Sequence, residues 1–312
     1  MRIWIDTDIG SDVDDALTLA YVLRHPGFEL VGVSTVFGDV ELRTRIAETL
    51  LEKAGVRGVP VVTGLGKPLT PRRQGILFGH EGEGLIEHPA PRLRTEVETA
   101  GPGRLEALGR ALDDARPDLV LAIGPLTNLG ALAEAGVALP PLAIMGGKLT
   151  DVMLEGMVAH IPEWNWWCDP VAVQRVLAAQ APGGVLPRVV PAEVTFHTHL
   201  GPGDVERLAE GDALARALAV LCEVWLTAQA ERLGAKHPRV ALHDPLTAAV
   251  LVESGLCPFE PRRILVDDSG AARHEDGPPN VLAATHVDNA ALRRHLLETW
   301  VPAGSSARGA TP

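Results

Sequence analysis

"RIWIDTDIGSDVDDALTLAYVL", residues 2–23, decides the fold: a short apolar run passes through five aspartates into a repeat of apolar residues every three or four positions. "RIWI" (2–5) reads as a buried strand and "DDALTLAYVLRH" (14–25) as an amphipathic helix, so "DTDIGSDV" is the loop between them. The alternation continues. Strand-like runs recur at 29–36, 59–64, 118–123, 141–147 and 188–191, and helical patterns at 42–55, 104–115 and 169–179. This order predicts an α/β fold: a single-domain, mostly parallel central sheet flanked by helices. In such sheets ligands bind beyond the carboxyl ends of the strands. The aspartate loop, "FGDV" (37–40), "GPLTN" (124–128) and "MGGK" (145–148) all fall at that edge. The domain is expected to span 1–302, with a disordered tail at 303–312. Residues 192–241 are mainly helical in pattern, but their loops are not placed.

With 312 residues, 46% apolar content and a mean hydropathy of +0.12, the chain can bury a large core. A net charge of −12 and the lack of any Lys/Arg block argue against nucleic acid and for a small ligand or a metal ion. No signal-peptide pattern opens the chain and no apolar run reads as long enough to span a membrane, so a cytoplasmic location is expected. Cys168, Cys222 and Cys257, odd in number and widely spaced, read as reduced, buried thiols.

Five aspartates at 6, 8, 12, 14 and 15 repel one another unless something positive sits among them. Favourable charge at a helix N-terminus accounts for one or two of them and leaves Asp6 and Asp8 unexplained. An EF-hand loop counted from Asp6 requires Gly at its sixth position and Glu at its twelfth, where Ser11 and Leu17 stand. A hard-cation site in an enzyme, with loop carboxylates around Ca²⁺ or Mg²⁺, is favoured.

"DTDIGSDVDDA" resembles the N-terminal signature of the inosine-uridine-preferring nucleoside hydrolase family. "VSTVFGD" (33–39), "IGPLTNLGAL" (123–132), "MGGKLT" with "PEWNWWCDP" (145–150, 162–170) and "ALHDPL" (241–246) resemble later blocks of that family, in order. The resemblance implies a Rossmann-type nucleoside hydrolase fold and Ca²⁺-dependent hydrolysis of the N-glycosidic bond of ribonucleosides. It also implies a homodimer or homotetramer. Its metal ligands would be the side chains of Asp8, Asp15 and Asp244 and the backbone carbonyl of Ile123, holding one Ca²⁺. Asp8 would be the general base and His243 the general acid. Asp14, Asp39, His80, Met145, Glu163, Trp164 and Asn165 would line the substrate site. Packing competes with a base-side role for His80 and for the Trp run.

Two features depart from the family pattern. Ser11, Asp12 and Val13 lengthen the metal loop by two residues, so Asp12 could serve the outer shell or displace Asp14. Asp39 stands where many members have Asn. Two other readings use the same residues: a Mg²⁺-dependent phosphohydrolase of the haloacid dehalogenase type, for which "IDTD" fits locally, and a non-catalytic riboside or Ca²⁺ binding protein. "HTH" (197–199) lacks a third ligand at zinc spacing.

Overall fold

A computed structural model describes residues 1–87, 103–151, 153–154, 161–179 and 184–302; the tail expected to be disordered lies outside these. The chain runs β1 (Arg2–Thr7), α1 (Asp14–Arg24), β2 (Glu29–Thr35), α2 (Val40–Lys53), β3 (Val61–Thr63), α3 (Arg104–Ala115), β4 (Leu119–Ala122) and α4 (Thr127–Glu134). It continues with β5 (Leu142–Met145), α5 (Trp164–Cys168), α6 (Pro170–Ala179), β6 (Arg188–Val190), α7 (Ala192–Thr195), α8 (Asp204–Ala209) and α9 (Ala213–Glu231). The last elements are α10 (His243–Ala249), β7 (Phe259–Arg262), β8 (Ile264–Val266), β9 (Ala272–His274), β10 (Val281–Ala284) and α11 (Asn289–Trp300).

Among the described residues, eight strands form one sheet in the order β3-β2-β1-β4-β5-β6-β10-β7, parallel except for the edge strand β7. In β1, β4 and β5 successive residues are buried on both faces, which is why these strands read as unbroken apolar runs. The chain steps outward from β1 to β2 and β3, then returns to place β4 on the other side of β1. That reversal opens a crevice between the carboxyl ends of β1 and β4, where such sheets take their ligands. The aspartate loop leaves the first of these ends and Ile123 the second. Gly124 is required here: a Cβ would lie 2.8 Å from both the Asp8 nitrogen and Asp8 Oδ1.

All the strand and helix patterns read from the sequence up to β6 are present. The C-terminal third adds what periodicity did not show, because its strands are three or four residues long and β7, β8 and β9 are largely exposed or half-buried. β7 and β10 complete the sheet, β8 and β9 form a separate hairpin, and α11 packs on α1 and α10. The Trp300 indole donates to Leu17 O at 2.9 Å, and one apolar cluster reaches from Ile3 to Trp300. The three cysteines are free and buried. One finding differs from the sequence reading: α9, at 19 residues with a mean hydropathy of 1.3, is long and apolar enough to cross a membrane. Arg216 and Glu223 interrupt its apolar run in the sequence. It packs against α8, α2 and α1, burying Leu214, Leu218 and Cys222.

Candidate active site

The loop after β1 has to turn sharply before α1, and Gly10, at φ 116°, makes that turn; a Cβ there would meet Ile46 Cδ1 at 2.5 Å. The turn delivers Asp14 and Asp15 to the first turn of α1, both buried. Asp244 reaches them from the first turn of α10, its N–H donating to Asp14 Oδ2 at 3.3 Å. Carboxylate oxygens of Asp14, Asp15 and Asp244 lie within 4.8 Å of one another, and each residue is under 5% exposed. Burial pushes all three well above the usual carboxylate range. The charge of Asp8 adds to the rise of Asp15, that of Asp12 to Asp14, and those of Asp14 and Asp15 to Asp244. Asp8, also buried, is raised by desolvation and pulled back by Arg43.

This donor set fits a hard divalent cation. It consists only of oxygens, it is buried, and its like charges need a positive partner at their centre. The triad contains Asp14, which the sequence reading had placed on the sugar, while Asp8 lies against Gly124. Asp12 is pushed up to about 7 by burial, and its Oδ1 accepts from Val13 N–H at 2.6 Å. The Thr7 hydroxyl donates to Asp15 Oδ1, fixing that carboxylate from the strand end.

On the opposite wall the Asn165 amide donates to Ile123 O at 3.1 Å and to Met145 O at 3.2 Å, tying α5 to the ends of β4 and β5. Glu163 caps α5: its Oε1 accepts from Asn165 N–H, and its Oε2 from Trp166 N–H and Gly147 N–H. Ile123, Met145, Glu163 and Asn165 are therefore one hydrogen-bonded unit. Trp164 stands 5.6 Å, ring to ring, from both Phe78 and Trp167. Asp39 caps α2 through Leu42 N–H.

The two histidines sit on separate supports. His80 is buried, with Nε2 2.6 Å from Ser11 O and its ring 5.5 Å from Trp225. His243 Nδ1 is 2.7 Å from the Thr195 hydroxyl, and its ring packs on Phe196 at 4.9 Å. Burial, helped by the Arg239 cation, pushes His243 down to about 4, so the imidazole is uncharged at neutral pH. Ser11, Asp12, His80 and Trp225 line one shallow cleft behind the aspartate loop.

Sequence reasoning missed Trp225 and Arg43. Trp225 was hidden in an apolar helical run. Arg43 is fully buried inside the loop: Nε donates to Phe37 O at 2.6 Å, Nη1 to Asp8 O and to Ile9 O at 2.9 Å, and Nη2 to Ser11 Oγ at 3.1 Å. Its Nη2 is also 4.0 Å from Asp8 Oδ2. An arginine seven residues before a run of leucines carries no sequence signal for such a position.

The model of the family described as inosine-uridine preferring nucleoside hydrolase matches residues 3–294. Uridine nucleosidase 1 of Arabidopsis thaliana is 27% identical over 280 residues, covering 86% of this chain and 79% of that protein. The inosine-uridine preferring nucleoside hydrolase of Crithidia fasciculata is 25% identical over 276 residues, covering 85% and 82%. Among solved structures, a plant nucleoside hydrolase superposes with a TM-score of 0.75 at 25% identity, covering 96% of this chain and 99% of that one.

Proposed function

This chain belongs to the inosine-uridine preferring nucleoside hydrolase family, and from that premise we propose that it hydrolyses ribonucleosides to free nucleobase and ribose with one Ca²⁺ per subunit. The observation that carries the reading is the convergence of Asp14, Asp15 and Asp244 at the switch point, with Asp8 and the Ile123 carbonyl beside them. Asp8, Asp15, Asp244 and the Ile123 carbonyl would hold the ion, with Asp14 close enough to share it or to take a ribose hydroxyl. The ion supplies a positive centre that orients sugar hydroxyls and acidifies water.

The residues do the rest. Water attacks C1′ as the bond to the base nitrogen breaks, through an oxocarbenium-like transition state, and the bonding pair leaves with the base. Asp8 takes the water proton as general base. The Asn165, Met145 and Glu163 unit forms the rigid wall for the sugar, and Asp39 and Trp164 border it. His80 and His243 face the base side. The tautomer in which Nδ1 accepts from the Thr195 hydroxyl is the one that keeps the His243 N–H on Nε2 for the departing base. That N–H hydrogen-bonds the departing nitrogen as the charge develops there, and the released base takes its proton from solvent. The proposal includes one domain over 1–302, a cytoplasmic location and a homodimer or homotetramer. Release of ribose from a nucleoside panel, with a phosphate monoester as control, tests it. Phosphate release without ribose, or saturable binding without turnover, would overturn it.

His243→Ala separates leaving-group help from general damage. On inosine or uridine the variant should lose about 10²-fold in kcat/KM, because assistance matters most where the departing anion is least stable. On p-nitrophenyl riboside it should be nearly indifferent. Equal losses on both would assign His243 to the loop or the metal shell.

Metal removal has a sign that follows from the raised carboxylates. An acid whose pKa is raised by folding binds its proton more tightly when folded, so its stability contribution is complete below about pH 4. That contribution is lost as pH climbs through the raised values, near 7 for Asp6 and Asp12. A bound cation stabilises the ionised folded form by mass action. The rise in Tm on adding Ca²⁺ to chelator-treated protein should therefore be larger at pH 8 than at pH 5.5. A rise that is equal at both, or absent, would show that these carboxylates do not hold the ion.

A further inference from the structure

A second cluster lies at the far ends of the helices that present the aspartates. α1 starts with Asp14 and Asp15 and ends at His25; α10 carries Asp244 in its first turn, and the chain leaving it reaches Glu253; α11 brings in His295. One ligand atom from each of His25, Glu253 and His295 lies within 4.8 Å of the other two. The two imidazoles are 5.5 Å apart, and both pack on Tyr21, at 5.3 and 5.6 Å. The Tyr21 hydroxyl is 2.7 Å from His295 Nε2.

We infer that His25, Glu253 and His295 form a second metal site, selective for a transition-metal ion of the Zn²⁺ type. Two imidazoles and one carboxylate are a donor set that Zn²⁺ takes readily, with a fourth position left for water. Ca²⁺ and Mg²⁺ prefer sites made only of oxygens, which is what the aspartate cluster offers. The two sites therefore sort ions by chemistry. The Tyr21 contact is the outer support that metal-bound histidines use: with Nε2–H donated to the phenol oxygen, the Nδ1 lone pair of His295 is left for the ion. His25 would ligate through Nε2, its proton moving to Nδ1 and the 3.1 Å contact from Gly27 N–H given up. An ion here ties the C-terminal ends of α1 and α10 to α11, behind the helix pair whose N-termini hold the aspartates. Its effect is to stiffen that pair.

The test uses tag-free full chain with saturating Ca²⁺, so that the aspartate cluster is occupied, titrated with Zn²⁺ by calorimetry. The parent should take up one equivalent at micromolar concentration and gain Tm. His295→Ala and Glu253→Gln should each bind at least about tenfold more weakly and lose the Tm gain. Glu253 is exposed, so its variant reports even if His295→Ala folds poorly. A parent that takes up no Zn²⁺ at micromolar concentration would overturn the inference. So would Glu253→Gln binding as tightly as the parent, which would place the ion elsewhere.

Discussion

Asp8→Asn should cut ribose release from every nucleoside by about 10²- to 10⁴-fold, the range expected when a general base is lost. The substitution changes little else. Asn has the shape of Asp, so the packing of the carboxylate against Gly124 survives, and so does the Asp8 carbonyl that accepts from Arg43. What disappears is the group that can accept a proton from water, together with one negative charge among several buried ones. Removing that charge relieves repulsion on Asp15 and Asp244, both raised by Asp8. In chelator the relieved repulsion opposes the lost contact with Arg43, so Asp8→Asn should melt close to the parent temperature, while Ca²⁺ should stabilise it less. A variant within tenfold of the parent in turnover, at saturating Ca²⁺, would remove Asp8 from the base role.

Much of this site was legible because its parts lie where strands hand over to helices. Asp8, Ile123, Met145 and Asp39 each sit within a few residues of the carboxyl end of a strand, and apolar runs bounded by polar clusters mark such places in any sequence. That Asp244 joins the N-terminal aspartates was legible only through family resemblance, which grouped it with Asp8 and Asp15; its contact with Asp14, 230 residues away, was not. What stayed hidden has a different origin. Glu163 reads as a sugar ligand in "EWN", yet in the fold its carboxylate accepts three backbone N–H groups, a commitment visible only once α5 has turned on itself. Trp225 looks like core packing because helix α9 is apolar on most of its surface. The C-terminal strands are three or four residues long, so neither length nor alternation marked them.

Arg43 bears on the question that the aspartate loop poses, because the chain brings its own positive charge into it. Removing that charge as Arg43→Met should be among the most destabilising substitutions in the protein. The guanidinium is fully buried and supplies donors to the carbonyls of Phe37, Asp8 and Ile9 and to the Ser11 hydroxyl. Phe37 is held at φ 64°, a conformation that a side chain tolerates only where its surroundings fix it. Methionine fills much of the volume and donates nothing, leaving several buried oxygens unpaired and Asp8 without its neighbouring cation. Breaking a buried charged pair by deleting one partner costs about 3–5 kcal/mol, so the melting temperature should fall by several degrees at least. Arg43→Lys keeps the charge, but a compact ammonium cannot span acceptors arranged around a planar fork, and it should recover only part of the loss. Activity tells positioning from stability. If Arg43 only stabilised the fold, Arg43→Lys assayed well below its melting temperature would turn over like the parent. If it sets the backbone of Asp8 and Ile9, kcat should fall about tenfold or more in the fully folded variant, with KM changing less, since a small displacement of a base costs more in the transition state than in binding. An unchanged kcat in folded Arg43→Lys would leave Arg43 as the internal counter-charge of the loop and no more.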